Sequence, residues 1–405
     1  MKVLVVNCGS SSIKYQLYDI SAQRAVAKGI VGNIGEEDSY LEHQVDEQVF
    51  RQAIPIQNHR SGFNIIINTL LNKERGVISE ISDVCAVGHR IAHGGSDFTE
   101  STLLTEDVVK KIEKIIPLAP LHNPANLLGV SEAKRLLPDV PHVAVFDTTF
   151  HQTMPPRAYL YALPYEYYEK YRIRRYGFHG TSCRYVSRQA AKLLGKPIEN
   201  LKMIICHLGN GVTLAAIDGG KSIDTSMGFT PLEGLMMGTR AGDIDPGVIF
   251  HLYRESGLSI DQIDSLLNCE SGLLGISGIS NDMRKIVDEA NNGNESCQLA
   301  LDMFTYRIKK YIGAYAAALG GLDALVFTAG IGENSPLVRE KICNGLEFLG
   351  ISLDNQVNKN IEEAERIISG KDSTVQIIVI PTDEEQMIVL DTLSIAGLTD
   401  QDLPD

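Results

Sequence analysis

Two short polar turns carry residues suited to phosphate chemistry. Asn7-Cys8-Gly9-Ser10-Ser11-Ser12 offers small residues, backbone N–H groups and serine hydroxyls, with Lys14 just beyond. His207-Leu208-Gly209-Asn210-Gly211 offers a second set of the same kind. Such loops can surround a phosphate chain; a polar hairpin turn with an outward lysine is the other reading of the first. Arg90 lies in Gly88-His89-Arg90-Ile91-Ala92-His93-Gly94-Gly95, and Arg240 follows Met236-Met237-Gly238-Thr239. Their guanidinium forks suit a carboxylate or phosphate, and equally a structural ion pair. His179 stands between Phe178, which can wall an apolar pocket, and Gly180, which allows close approach; a structural histidine is the alternative. Asp147 ends an apolar run, as a turn or cap residue or as a functional acid. Glu384 either complements a helix dipole or ligates Mg2+, which takes one or two carboxylates plus water and phosphate oxygens. Together these residues describe a phosphoryl-transfer site.

The elements that must position them share one pattern. Short apolar runs rich in Val and Ile end directly at polar clusters: Val3–Val6, Val84–Val87, Val143–Phe146, Met203–Cys206, Ala324–Phe327 and Ile377–Ile380. Such runs suit buried strands, and in α/β sheets ligands gather beyond the carboxyl ends of strands. Six such ends predict one shared cleft. Leu299–Leu319 reads as an amphipathic helix closed by Gly320-Gly321, and Thr382 with Glu385 as a capping box opening another helix. The stretches beginning at Val3 and Met203 align without a gap at an offset of 200, each an apolar strand, a polar residue, a glycine and a small polar residue. Each continues into a second strand, Ile13–Tyr18 and Thr213–Ile217. The spacing predicts two related domains, each offering one loop to the same ligand.

Composition narrows the function. At 405 residues, two domains are expected, and 44% hydrophobic with 22% charged residues is globular. A net charge of −14 argues against nucleic-acid and anionic-membrane partners. Seven cysteines without a CxxC pair read as reduced thiols of a cytoplasmic protein. No run approaches the roughly 18 apolar residues of a membrane span, and the first apolar stretch is too short for a signal peptide. The GxxxxGK[ST] and protein-kinase motifs are absent, and the glycine-rich turns join two strands, unlike a dinucleotide-binding turn.

VNCGSSSIK, GHRIAHGG, PLAPLHNPAN, VAVFDTTFHQTMPP, RRYGFHGTS, HLGNG, DTSMGFTPLEGLMMGTRAGDIDP, SGLLGISG, TAGIGENS and PTDEEQMI, in this order from residue 6 to residue 388, closely resemble the acetate and propionate kinase family. The resemblance implies an α/β fold of duplicated actin-like (ribonuclease H-like) ATPase domains with a central inter-domain cleft. It implies a first domain of 1–150 plus 385–405, a second of 151–384, and a homodimer. It assigns Asn7 and Glu384 to Mg2+ (with Mn2+ as a substitute). It assigns Lys14, His207, Leu208, Gly209, Asn210, Gly211, Asp282, Met283, Arg284, Gly330, Ile331, Gly332, Glu333 and Asn334 to ATP or ADP. Arg90 would bind the acyl carboxylate, His122 would lie near the transferred phosphate, and Ala92, Leu121, Phe178 and Pro231 would line the acyl pocket. His179 and Arg240 would stabilise the transition state, and Asp147 would be the acid–base or positioning residue. Ala92 stands where acetate-selective members usually have Val, Asp383 where Asn is commoner, Val212-Thr213 where Ala-Ser is commoner, and Cys183 where His usually follows GTS.

The implied reaction is reversible in-line transfer from ATP to acetate or propionate. A carboxylic acid is already ionised at pH 7, so the nucleophile needs no general base. The difficulty is bringing an anion to the anionic γ-phosphate, which Arg90, Arg240 and His179 would offset. Asp147 is then expected to orient Arg or metal-bound water. The alternatives are propionate as main substrate, a sugar kinase on the same fold, which should lack the paired arginines, and a non-catalytic ATP-driven module, which has no use for GHRIAHGG or RRYGFHGTS.

Overall fold

In the computed structural model, which describes residues 1–360 and 363–398, the chain divides into two compact units, Met1–Thr149 with Asp383–Asp405, and Phe150–Thr382. Asp383 and Glu384 therefore belong to the first unit, whereas the sequence expectation ended the second domain at 384. Of the expected 385–405 segment, residues 399–405 lie outside the described residues.

The first unit holds β1 (Lys2–Cys8), β2 (Ile13–Asp19), β3 (Arg24–Gly32), β4 (Tyr40–Val45), β5 (Gln48–Ala53), β6 (Val84–Ile91), β7 (Thr102–Leu103) and β8 (His142–Phe146). They form one sheet in the order β5-β4-β3-β2-β1-β6-β8-β7. Strand β1 is buried on both faces, as its unbroken apolar run requires. Leu4, Val6 and Cys8 pack with Phe63, Ile66 and Leu70 of the His59–Leu70 helix and Ala133 of the Asn123–Leu136 helix. Val3 and Val5 pack on the other side with Ile388, Val389 and Leu393 of the Glu384–Ala396 helix. Each such fully buried side chain contributes roughly 1.5–3 kcal/mol of apolar transfer. Glycine at 88 lets the last helix lie against β6, for a Cβ there would stand 2.4 Å from Thr392 Oγ1.

The second unit holds β9 (Lys202–Leu208), β10 (Val212–Asp218), β11 (Lys221–Thr225), β12 (Ala324–Thr328), β13 (Arg366–Ile367) and β14 (Gln376–Val379), in the order β11-β10-β9-β12-β14-β13. Met203 and Ile205 face Val186 and Ala190 of the Gly180–Leu194 helix. Ile204, Cys206 and Leu208 face the long Glu295–Leu319 helix. That helix buries Leu301, Phe304, Ile308, Ile312 and Tyr315, starts on an Asn294 cap and ends on left-handed Gly320.

The two sheets repeat one plan. In each, a hairpin (β1–β2, β9–β10) is antiparallel and its first strand has a parallel neighbour (β6, β12). A second parallel strand follows (β8, β14). Lys2–Cys8 and Lys202–Leu208 stand at the 200-residue offset read from the sequence. The expected Thr382–Glu385 box is not formed. Asp383 is the N-cap, accepting from Gln386 N at 2.8 Å. Thr382 is engaged elsewhere: its Oγ1 pairs with Ser182 Oγ at 2.7 Å and its N–H donates to Glu333 Oε1 at 3.2 Å. All seven cysteines are free thiols. No helix among the described residues is long and apolar enough to cross a membrane.

Buried neutral histidines give the fold an acid limit. His89 Nε2 and His142 Nδ1 lie 2.9 Å apart, and burial pulls both residues below the usual histidine range. His151 bonds to Ser222 Oγ and Phe178 O, and burial pulls it down to about 4. A histidine whose pKa is depressed by folding binds more protons when unfolded, so stability present above about pH 6.5 is lost as pH falls toward 4. For His151 the loss is on the order of 3 kcal/mol. The urea midpoint should fall across this window, and His151→Gln should flatten the fall; equal slopes for the variant and the parent would refute the assignment.

Candidate active site

In the first unit, strand register brings the key side chains together. Parallel β6 and β8 set Arg90 beside Val145 and Ile91 beside Phe146, and Asp147 N donates to Ile91 O at 3.0 Å. Arg90 Nε then donates to Asp147 Oδ1 at 3.1 Å and Nη2 to Oδ2 at 2.5 Å, a bidentate pair. Glu384 Oε2 lies 3.5 Å from the same Nε. Burial works against the Arg90 charge, but Asp147 and Glu384 outweigh it and hold the guanidinium firmly protonated. Burial pushes Asp147 up, to about 6; Arg90 opposes the shift and Glu384 adds to it. Burial also raises Asp383 and Glu385, with Glu384 adding to both.

The other predicted residues of this unit stand on the β1–β2 hairpin, just past β6 and before the Asn123–Leu136 helix. Asn7 and Lys14 are direct partners near the turn end of the β1–β2 hairpin, with Asn7 half-buried and Lys14 exposed. Ala92 is half-buried just past β6. His122 is exposed at the N-cap position of the Asn123–Leu136 helix, and Leu121 beside it is 75% exposed.

In the second unit, the β9–β10 turn is the meeting point. His179 has left-handed backbone at φ 55° before the Gly180–Leu194 helix, a conformation disfavoured for a side-chain-bearing residue. Its ring stacks on His207 with centroids 4.2 Å apart, and its Nδ1 lies 2.9 Å from Thr213 Oγ1. Ser182 Oγ holds His207 Nδ1 at 2.8 Å. A Cβ on Gly211 would stand 3.1 Å from the His179 ring and 3.7 Å from Arg240 Nη1, so this glycine lets both side chains approach the turn. A Cβ on Gly238 would stand 1.9 Å from Asn210 Oδ1, so close approach there also needs glycine. Burial lowers Arg240 somewhat from its usual value.

A cavity of about 810 Å³ opens beside this turn. It is lined by Gly209, Asn210, Asp282, Met283, Arg284, Gly330, Ile331 and Asn334 from the sequence-derived set. Leu208 is wholly buried in the core, leaving only its backbone for a ligand. Gly332 is buried and Glu333 accepts from Thr382 N, so both stand behind the lining. Phe178 is buried, and Pro231 half-buried, in segments joined by one ion pair. Arg175 Nη2 donates to Glu233 Oε1 at 2.6 Å, and its Nη1 donates to the carbonyls of Thr225 and Ser226. Tyr161 hydroxyl bonds to Glu233 and accepts from Phe229 N. The segment carrying Phe178 and His179 is thereby tied to the one carrying Pro231 and Arg240. Sequence reasoning missed Arg175, Glu233, Thr213 and Ser182, and also the cavity-lining Asn281, Val287, Asp288, Ser335, Pro336 and Leu337. The carboxylate of Glu233, inside an otherwise apolar and glycine-rich run, was the available signal.

Two sheets on one strand plan, each with a phosphate-sized turn at the end of its central hairpin, define the duplicated actin-like class of ATPase folds. Within it, the chain belongs to the acetokinase family, whose model matches residues 2–390. It is 55% identical over 397 residues to the acetate kinase of Thermotoga petrophila, covering 98% of each chain. Its structure matches that of Porphyromonas gingivalis acetate kinase at TM-score 0.93 and 49% identity, covering 97% of this chain and 99% of that one. It matches a propionate kinase from Francisella tularensis subsp. tularensis at TM-score 0.91 and 41% identity, with the same coverage.

If Arg175 and Glu233 form the tie between the two segments, Arg175→Met and Glu233→Gln should each destabilise by about 1–3 kcal/mol, because each strands a partly buried partner. The double variant should lose no more than the worse single one in urea unfolding; additive losses would show that the pair is uncoupled.

Proposed function

We propose that this protein is a magnesium-dependent carboxylate kinase that transfers the γ-phosphoryl group of ATP to acetate or propionate, giving ADP and an acyl phosphate, reversibly. The observation that carries this reading is the Arg90–Asp147 pair. Both Asp147 oxygens accept from Arg90. Asp147 is thereby committed to the guanidinium, which suits an ionised acid that needs no general base better than a sugar hydroxyl that must lose a proton. Arg90 supplies cationic donors to the acyl carboxylate, while Asp147 fixes the fork's orientation. Arg240 and His179 meet the charge on the moving phosphoryl group, and the Gly209–Gly211 turn and the 810 Å³ cavity take the nucleotide. Lys14 adds charge toward the phosphates, and His122 faces the transferred group.

The donor set suits Mg2+, with Mn2+ as a substitute. Glu384 and Asn7 offer hard oxygen donors, and the acidic cluster of Asp147, Asp383, Glu384 and Glu385 exceeds the single adjacent guanidinium. Asp383 already caps its helix, which favours Glu384 as the ligand. When bound, the cation neutralises phosphate charge. Ala92, smaller than a valine and two residues after Arg90, supports propionate as a substrate used comparably to acetate. We further propose a cytoplasmic homodimer. Exposed apolar side chains in two segments of the second unit, among them Tyr165, Tyr171, Phe250 and Tyr253, support it. A monomer in sedimentation equilibrium at micromolar protein would remove that part.

Incubation with ATP, Mg2+ and each acid, trapped with hydroxylamine, should give hydroxamates with both acids; glucose should give none. Arg90→Ala and Arg240→Ala should each lower kcat/KM by about 10²–10³-fold. Near-normal values would take that arginine out of the site. Ala92→Val should move preference toward acetate by raising KM for propionate, within the roughly 1–3 kcal/mol that a methylene commands. An unchanged ratio would show that another residue sets acid preference.

A further inference from the structure

The Asn123–Leu136 helix meets the sheet through two buried amides. Asn123 is wholly buried, donating Nδ2 to His93 O at 3.0 Å and accepting from His93 N at 3.2 Å. Asn126, 6% exposed, accepts from Ala92 N at 2.9 Å and donates Nδ2 to Cys8 O at 2.7 Å. Gly129 completes the same helical face, since a Cβ there would stand 2.6 Å from Cys8 Cβ. At i, i+3 and i+6 the three residues form one stripe, so the helix lies hard against the end of β1. One carboxamide thus joins the backbone next to Asn7 and Gly9 to the backbone of Ala92. The β1–β6 ladder pairs the two strands as far as Val6 and His89, and beyond its end the Asn126 amide is the tie between the two backbones.

We propose that Asn126 is a positioning residue that sets acid preference and metal–nucleotide affinity together, by holding Ala92 and the turn after β1 at a fixed spacing. The proposal rests on the carboxylate-kinase reading. It differs from a merely structural role in what it moves. The Oδ1 bond governs where Ala92 stands, and the Nδ2 bond governs where the carbonyl of Cys8 and its neighbour Asn7 stand. These two functions are separable by substitution.

Asn126→Leu removes both bonds at similar volume. It should lower kcat/KM for both acids by about 10–100-fold, change the propionate-to-acetate ratio by at least about threefold, and weaken Mg·ADP binding by about tenfold in titration calorimetry. Asn126→Asp at pH 8 keeps an oxygen for Ala92 N and loses the donor to Cys8 O. It should leave the acid ratio unchanged while weakening Mg·ADP, and it serves if the leucine variant does not fold. A wild-type acid ratio in Asn126→Leu, or unchanged Mg·ADP affinity in Asn126→Asp, overturns the proposal. Wild-type enzyme that yields no hydroxamate fails the carboxylate-kinase reading, and this proposal with it.

Discussion

A half-buried guanidinium must be paired, and the Arg90–Asp147 pair is where the first unit meets that requirement. Removing one arginine from water costs several kcal/mol, recovered only with good geometry and full hydrogen bonding. Parallel β6 and β8 provide the geometry, because their register ends both strands at the same level. The pairing therefore depends on the Val84–Val87 and Val143–Phe146 runs being buried, straight and in register. The apolar core and the ionic site are one construction. The second unit solves the same problem with Arg175 and Glu233, where the cation is partly buried and two backbone carbonyls complete its shell.

Duplication explains why so few residue types suffice. The same hairpin occurs in both units, and its turn exposes backbone N–H groups in each. What differs is the residue before the turn: Asn7 in the first, stacked His207 in the second. An amide oxygen suits a hard cation. An imidazole stacked on His179 and fixed by Ser182 suits a place where negative charge is handled. The plan of the strands is shared, and the chemistry is written in one or two side chains at each turn.

Much of this was legible in the sequence because it is local. Val and Ile runs ending at Asn7, Arg90, Asp147 and His207 announce strands and their ends, and the repeated hairpin needs only its spacing. Other features depend on groups far apart in the chain. Asn126 bonds to Cys8 across 118 positions, and Arg175 to Glu233 across 58. Nothing around an asparagine announces which backbone it will meet. The cap at the last helix was misassigned for a related reason. Thr382 and Asp383 are both good caps by residue type, and the choice falls to Asp383 because Ser182, 200 positions away, takes the threonine hydroxyl. Residue type sets what a side chain can do, and long-range packing sets which of those things it does.

The acidic excess around Arg90 follows from function more than from stability. Asp147, Glu384 and Glu385 gather against one guanidinium, and Asp383, which also feels Lys28, adds its charge beside Glu384. Burial has pushed Asp147, Asp383 and Glu385 upward, so each is less content as an anion here than in water. A fold optimised for stability alone would replace some of these groups with apolar ones. Their retention makes sense if the site normally works with a further positive charge present, which would relieve the repulsion among the carboxylates and loosen the hold of Glu384 on Arg90. An arginine already neutralised by two carboxylates would be a poor receptor for a third; one whose second carboxylate is drawn toward a cation has donors to spare. On the proposed carboxylate-kinase reading, this charge balance would link the binding of acid, nucleotide and cation.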